Sequence, residues 1–296
     1  MNGAGIRRIL VAGAGSMGSQ IALVCALAGC EVVLHDLRRD ALDGALDALR
    51  ARTDRQVAAG RRDGAETAAA YDRITTTTAP TGDGVDLVIE AVVERLAVKR
   101  ALFAELDAIC PADTILASNS SSFLPSSMAS AVAHPERFLN LHFFNPALVM
   151  KAVEVVRGPA TADATVAAAV AFVERIGKSP IVLDREINGF VANRLLGSVR
   201  DEAIALLEGG YADIEAIDTA ARTALGYPMG PFELMDLTGI DIGFHTKQAR
   251  YEATGDPADR PSRTVSRLVA AGRLGRKTGR GFYLYDEAGN TTGKGI

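Results

Sequence analysis

The segment LHFFNPALVMKAVEVV, residues 141–156, carries His142, one of four histidines in the chain, and Glu154, the segment's one acidic residue. Both stand among leucines, phenylalanines, valines and alanines, where a polar group costs free energy unless it is paired. A carboxylate on one imidazole nitrogen fixes the tautomer, stabilises the imidazolium and leaves the other nitrogen to act as a general base. A core histidine with a structural ion-pair partner would give the same sequence pattern, and the spacing alone leaves both readings open.

For the two residues to meet, the chain must turn back on itself. The run FLNLHF reads as a strand that ends at the carboxyl edge of a sheet, where open α/β sheets bind ligands. Asn145 and Pro146 supply a short turn, and AVEVV returns as a strand alongside, bringing Glu154 opposite His142. Phe143, Phe144 and Met150 read as packing residues.

A second pattern, GAGSMG, places Gly13, Gly15 and Gly18 directly after the strand-like run RRILVA and at the start of a helical stretch. Glycines there allow a tight turn and close approach to a pyrophosphate, whose charge meets the free amides and dipole of the helix N-terminus. Ser16 and Met17 lie at that terminus and join the cofactor-binding candidates. The next strand, CEVVLHD, ends in Asp36, eighteen residues past Gly18. An acid in that place accepts hydrogen bonds from ribose hydroxyls and repels a 2′-phosphate, so the expected cofactor is NAD rather than NADP. Arg38 and Arg39 read as a solvated helix start that would also tolerate a phosphate.

Strand-like runs alternate with Ala-rich amphipathic stretches through most of the first 186 residues: RRILVA, CEVVLHD, VDLVIEAV, TILASN, FLNLHF, AVEVV and SPIVLD. This is the pattern of an α/β fold, a Rossmann-type, mostly parallel, doubly wound sheet covered on both faces. From residue 187 to 296 the pattern becomes helical, with Asp213 as an N-cap, and an all-α second domain is expected.

The 296 residues are 48% apolar and 23% charged, with a formal net charge of −4, enough chain for two cores. Basic residues are dispersed, so a nucleic-acid partner is not expected. No segment has the apolar length of a membrane span and no signal-like leader is evident, which reads as a cytoplasmic protein. Cys25, Cys30 and Cys110 have neither disulfide-framework nor zinc-site spacing and read as reduced thiols; no metal is expected.

The runs GAGSMGSQIA, IEAVVERLAVKRALF, SNSSS, HFFNPALVMKAVEVV, GKSP, GFVANRLL, ALGYPMGPFELMDLTGID and LGRKTGRGFYLY together resemble the L-3-hydroxyacyl-CoA dehydrogenases, over nearly the whole chain and in that family's order. The resemblance implies an NAD-dependent oxidoreductase interconverting (S)-3-hydroxyacyl and 3-oxoacyl thioesters. It implies a catalytic pair at His142 and Glu154, an active-site serine at Ser121 and an active-site asparagine at Asn193. It also implies NAD contacts at Glu94, Lys99, Ser121, Asn145 and Lys277, a basic helical hairpin toward CoA after Asp36, and a homodimer formed through the second domain.

Taken alone, these residues have plainer readings. Ser121 follows a strand, where serines commonly cap helices. Asn193 reads as an interdomain hydrogen bond, and Glu94 with Lys99 as a solvated pair. Arg52, Arg55, Arg61 and Arg62 are the basic residues available in the hairpin. An acyl thioester on a carrier protein would present the same reacting atoms as acyl-CoA. A dehydrogenase of free hydroxy acids and a non-catalytic, crystallin-like dinucleotide binder are further alternatives; retention of both His142 and Glu154 argues against the last.

Overall fold

The computed structural model describes residues 5–296. Its packing separates two compact units, divided between Val191 and Ala192. The sequence placed the boundary at residue 186. Residues 187–191 go with the first unit because Phe190 packs with Val156 and Leu183, and the Val191 amide donates to Glu154.

The first unit begins with β1 (Arg8–Ala12), α1 (Ser16–Leu27) and β2 (Glu31–His35), followed by a helical hairpin of α2 (Arg39–Ala58) and α3 (Gly64–Asp72). Then come β3 (Ile74–Thr77), β4 (Leu87–Glu90), α4 (Leu96–Ile109), β5 (Ile115–Ser118), the short α5 (Pro125–Ala129), β6 (Phe138–Phe143), β7 (Ala152–Arg157), α6 (Asp163–Arg175) and β8 (Ser179–Leu183). The strands form one sheet in the order β3-β2-β1-β4-β5-β6-β7-β8. Every pairing is parallel except β6 with β7. The order reverses between β2, β1 and β4, which is where such sheets open a crevice at their carboxyl ends.

Strand side chains alternate between two covers. Ile9, Val11, Val32, Leu34, Leu87 and Ile89 pack with Ile21 and Leu23 of α1 and Phe172 of α6. Leu10, Val33, Val88 and Leu116 face the other way, against Phe103 and Leu106 of α4 and Phe138. Burying both faces is why these strands read as continuous apolar runs rather than as alternating ones. β3 escaped the sequence reading because it is an edge strand, ITTT, whose threonines are not buried. The hairpin after β2 is held by a hydrogen bond between Thr53 Oγ1 and Tyr71 Oη of 3.1 Å and by the Arg50 guanidinium 4.1 Å over the Tyr71 ring.

The second unit contains α7 (Ala192–Glu208), α8 (Ile214–Ala224), α9 (Pro231–Thr238), α10 (Ile240–Thr254) and α11 (Arg263–Ala270). Asp213 caps α8, accepting from the Ala216 amide at 2.9 Å. The helices are as expected, and a short antiparallel hairpin, β9 (Tyr283–Tyr285) and β10 (Thr291–Lys294), is added at the end. Two buried carboxylates tie that hairpin to the helices. Asp236 accepts from the Phe282 and Tyr283 amides and the Tyr285 hydroxyl; Asp218 accepts from the Phe232 and Glu233 amides and the Tyr283 hydroxyl. Gly281 is required beside Asp236, since a Cβ there would lie 2.0 Å from the carboxylate oxygen. Among the described residues no helix is long and apolar enough to cross a membrane.

Candidate active site

β6 runs parallel to β5 and ends at the edge shared by the carboxyl ends of β1, β4 and β5; β7 returns antiparallel, in a register that sets Glu154 directly opposite His142. The His142 Nδ1 to Glu154 Oε2 distance is 2.7 Å, with the carboxylate fully buried and the histidine 6% exposed. With Nδ1–H donating to the carboxylate, Nε2 is left as the acceptor of the neutral ring. The other carboxylate oxygen, Oε1, accepts from the Val191 amide at 2.9 Å. The carboxylate is thus fixed from two sides, which a buried charge requires.

The imidazole is flanked by aromatic rings, Phe144 at 4.6 Å and Phe190 at 5.6 Å between centroids. Phe190 has a φ of 49°, a left-handed conformation that costs a non-glycine residue about 1–2 kcal/mol. That backbone places the Phe190 ring near His142 and leads directly into the Val191 amide on Glu154. Neither residue was legible in the sequence, because a backbone angle leaves no composition signal; Gly189, itself at φ 78°, was the only local hint. Phe143 is buried and Phe144 partly so, but Met150, read as a packing residue, is 41% exposed. It lies in the turn between β6 and β7, which Lys178 pins through the carbonyls of Ala147 and Met150, at 2.6 and 2.7 Å. Asn145 is exposed in the same turn.

A second polar network lies along the ends of β4 and β5. Glu90, fully buried at the end of β4, accepts from Lys99 Nζ at 2.6 Å, the Val92 amide at 2.7 Å and Ser118 Oγ at 2.6 Å. Lys99 also pairs with Glu94, at 3.0 Å, and is itself 1% exposed. The solvated Glu94–Lys99 pair of the sequence reading is therefore corrected: the lysine is inside, and the partly exposed Glu94 is the outer end of a chain that starts at Glu90. Ser120 donates to Glu94 and accepts from the Ser122 and Phe123 amides, at 3.2 and 2.9 Å. Ser120, then, is the serine that stabilises the turn. The neighbouring Ser121 is partly exposed and its hydroxyl bonds to no other described residue. Asn119 Oδ1 accepts from the Phe143 amide at 2.8 Å, tying this loop to the strand end that carries His142.

The glycine turn fits a dinucleotide. A Cβ on Gly13, whose φ is 107°, would lie 2.6 Å from the Ala91 carbonyl oxygen, and one on Gly18 would lie 1.8 Å from that of Gly13. On Gly15 it would meet nothing within 4 Å, so the middle glycine opens the space before the first turn of α1, where Ser16 and Met17 begin the helix. No acidic side chain occupies that turn, so its amides and dipole remain available to an anion. Asp36 Oδ2 accepts from the Ala14 amide at 3.0 Å and Oδ1 from that of Arg38 at 3.1 Å, which aims the carboxylate and leaves each oxygen a further lone pair. Arg38 pairs with the exposed Asp40, at 3.3 Å, and Arg39 reaches Thr76 Oγ1 at 3.0 Å.

In the second unit Asn193 is exposed in the first turn of α7. Lys277 pairs with Asp241 at 2.6 Å and holds that carboxyl below the usual carboxylate range.

The model of the 3-hydroxyacyl-CoA dehydrogenase NAD-binding domain matches residues 8–187, and that of the same enzymes' C-terminal domain matches residues 189–285. The chain belongs to the 3-hydroxyacyl-CoA dehydrogenase family. It is 39% identical over 283 residues to a probable 3-hydroxybutyryl-CoA dehydrogenase of Bacillus subtilis, covering 95% of this chain and 98% of that one. It is 41% identical over 293 residues to the human mitochondrial hydroxyacyl-coenzyme A dehydrogenase, covering 95% and 91%. The solved (S)-3-hydroxybutyryl-CoA dehydrogenase of Ralstonia eutropha superposes with a TM-score of 0.86 at 37% identity, covering 95% of this chain and all of that one. As a 3-hydroxyacyl-CoA dehydrogenase the protein is an NAD-dependent oxidoreductase, and the glycine turn and Asp36 lie within the residues matched by the NAD-binding model.

Proposed function

We propose that the His142–Glu154 pair is the general base that interconverts (S)-3-hydroxyacyl-CoA and 3-oxoacyl-CoA. The observation that carries this is the doubly anchored carboxylate: Glu154 holds His142 Nδ1 at 2.7 Å while the Val191 amide holds Glu154. In the oxidation direction Nε2 accepts the proton of the substrate's 3-hydroxyl, and Glu154 stabilises the resulting imidazolium. In reduction the same nitrogen returns the proton to the 3-oxygen. NAD, when bound at the glycine turn and Asp36, would supply the hydride acceptor that the oxidation of C3 requires.

The unengaged Ser121 hydroxyl suits a substrate oxygen or the cofactor's carboxamide. Asn193, by the family resemblance, donates to the 3-oxygen or the thioester carbonyl. The pyrophosphate belongs at Gly13, Gly15, Ser16, Met17 and Gly18, and the adenosine ribose at Asp36, which favours NAD over NADP. Glu94, Asn145 and Lys277 complete the cofactor contacts, and Lys99 acts from inside by fixing Glu94. The second domain binds substrate and forms a cytoplasmic homodimer; the many apolar side chains it exposes, among them Leu195, Leu225, Leu237 and Ile242, support an interface there.

The deciding experiment is an absorbance assay of NADH consumption with acetoacetyl-CoA. Turnover with the CoA thioester, with NADH preferred to NADPH, and none with free acetoacetate is expected. Turnover of the free acid alone, or of neither, would contradict the reading.

A further inference from the structure

Asn140 is fully buried on β6, two residues before His142 and on the same face of the strand. In register it lies beside Ser118, the last residue of β5, where the chain leaves the sheet for the loop that holds Ser121. Its Nδ2 donates to the Phe123 carbonyl at 2.9 Å and to the Ser120 carbonyl at 3.3 Å. Neither carbonyl receives a backbone amide from the described residues, so this one side chain satisfies both acceptors. Its own Oδ1, also buried, has no hydrogen-bond partner among them. An amide with an unmet acceptor is a costly way to fill space, since an apolar side chain of similar shape would leave nothing unmet. What the position uses is the pair of donors.

The two clamped carbonyls bracket Ser121 and Ser122. The Ser120 carbonyl belongs to the peptide group that leads into Ser121, and because that group is planar, holding its oxygen fixes the plane from which Ser121 starts. Other bonds tie down the rest of the loop. The Ser118 hydroxyl accepts from the Ser120 amide at 3.1 Å, the Ser120 hydroxyl accepts from the Ser122 and Phe123 amides, and Asn119 Oδ1 accepts from the Phe143 amide at 2.8 Å. The ties from Asn140 and from Phe143 both come from β6, one before His142 and one after it. The loop is thereby registered to the strand that carries the histidine, with the Ser121 hydroxyl left unengaged.

We propose that Asn140 is a positioning residue: by holding the Ser120 and Phe123 carbonyls it sets where the Ser121 hydroxyl stands relative to His142. This rests on the reading above in which Ser121 binds a substrate oxygen or the cofactor's carboxamide. Asn140 acts through the loop and needs no contact with either ligand. Its contribution is geometric, and geometry of this kind is worth a great deal, since a misplacement of about 1 Å can cost about 10²-fold in rate.

The test is a double-mutant cycle on kcat/KM with acetoacetyl-CoA and NADH, built from Asn140→Leu, Ser121→Ala and the double variant. Leucine keeps the branched shape, removes both donors and removes the unpartnered oxygen, so the fold should survive the change; Asn140→Ala repeats the cycle with a smaller side chain. Asn140→Leu should lower kcat/KM about tenfold or more when Ser121 is present, and less than about twofold when Ser121 is already alanine. Equal losses in the two backgrounds would make Asn140 a structural residue and overturn the proposal, as would unchanged turnover in both Asn140 variants. A Ser121→Ala variant as active as the wild type would remove the role of Ser121 and the proposal with it, a result distinguishable from equal losses in the two backgrounds.

Discussion

Lys99 Nζ lies 2.6 Å from Glu90 Oε1, and both side chains are inside the protein. The pair is the inner end of the chain that runs through Glu94 to Ser120, on the edge of the sheet that also carries His142. Glu90→Gln removes the charge and keeps the volume, leaving the buried ammonium with only Glu94. Breaking one side of a buried pair costs about 3–5 kcal/mol, and the remaining partner places this case near the lower figure. Chemical denaturation of the cofactor-free protein should show that loss, and Lys99→Met in the same chain should restore part of it. An unchanged unfolding midpoint in Glu90→Gln would refute the assignment.

The glycine turn gives a contrast between neighbours. Gly18→Ala forces a Cβ into the Gly13 carbonyl, so the turn must shift even without a ligand, and stability and NADH binding should fall together. Gly15→Ala meets no protein atom and its φ of −66° suits alanine. That variant should fold normally while its KM for NADH rises about tenfold or more, because the methyl occupies space meant for the pyrophosphate. A normal KM in Gly15→Ala would show that the cofactor does not approach there.

Alkaline behaviour follows from the second unit's core. Burial first, and then the neighbouring carboxylates Asp218 and Asp236, push the Tyr283 and Tyr285 hydroxyls well above the ordinary value of 10.0. A raised folded value means that the unfolded chain loses these protons first. The contribution of the two groups is therefore fully present below pH 10.0 and is lost as pH rises toward the folded values. Melting temperature should fall as pH increases beyond that point, with part of the tyrosinate absorbance appearing only together with unfolding. Tyr285→Phe should make the decline shallower. Free ionisation of all tyrosines in a still-folded protein would contradict the packing described.

Much of this arrangement was legible in the sequence, for identifiable reasons. The strand–glycine–helix–strand–acid order around Gly13 and Asp36 is local, so its meaning survives without long-range information. His142 and Glu154 could be paired because one turn separates two apolar strands and their period fixes which residues face each other. What stayed hidden depends on contacts between distant segments. Ser118 meets Glu90 only through the β4–β5 register, and the choice of Ser120 over Ser121 as the turn's hydrogen-bonding hydroxyl depends on where Glu94 lies. The burial of Lys99 contradicts its residue type and needs Glu90 to explain it.

The most direct test of the central claim is Glu154→Gln, with kcat for oxidation, the KM for NAD and the melting temperature measured on the same preparation. The amide keeps the volume and the Val191 contact but no longer stabilises the imidazolium that forms when the 3-hydroxyl gives up its proton. The account predicts a fall in kcat of about 10²-fold or more, with the KM for NAD nearly unchanged. Wild-type kcat per folded molecule, accompanied only by a lower melting temperature, would make the pair a structural ion pair and contradict its role in proton transfer.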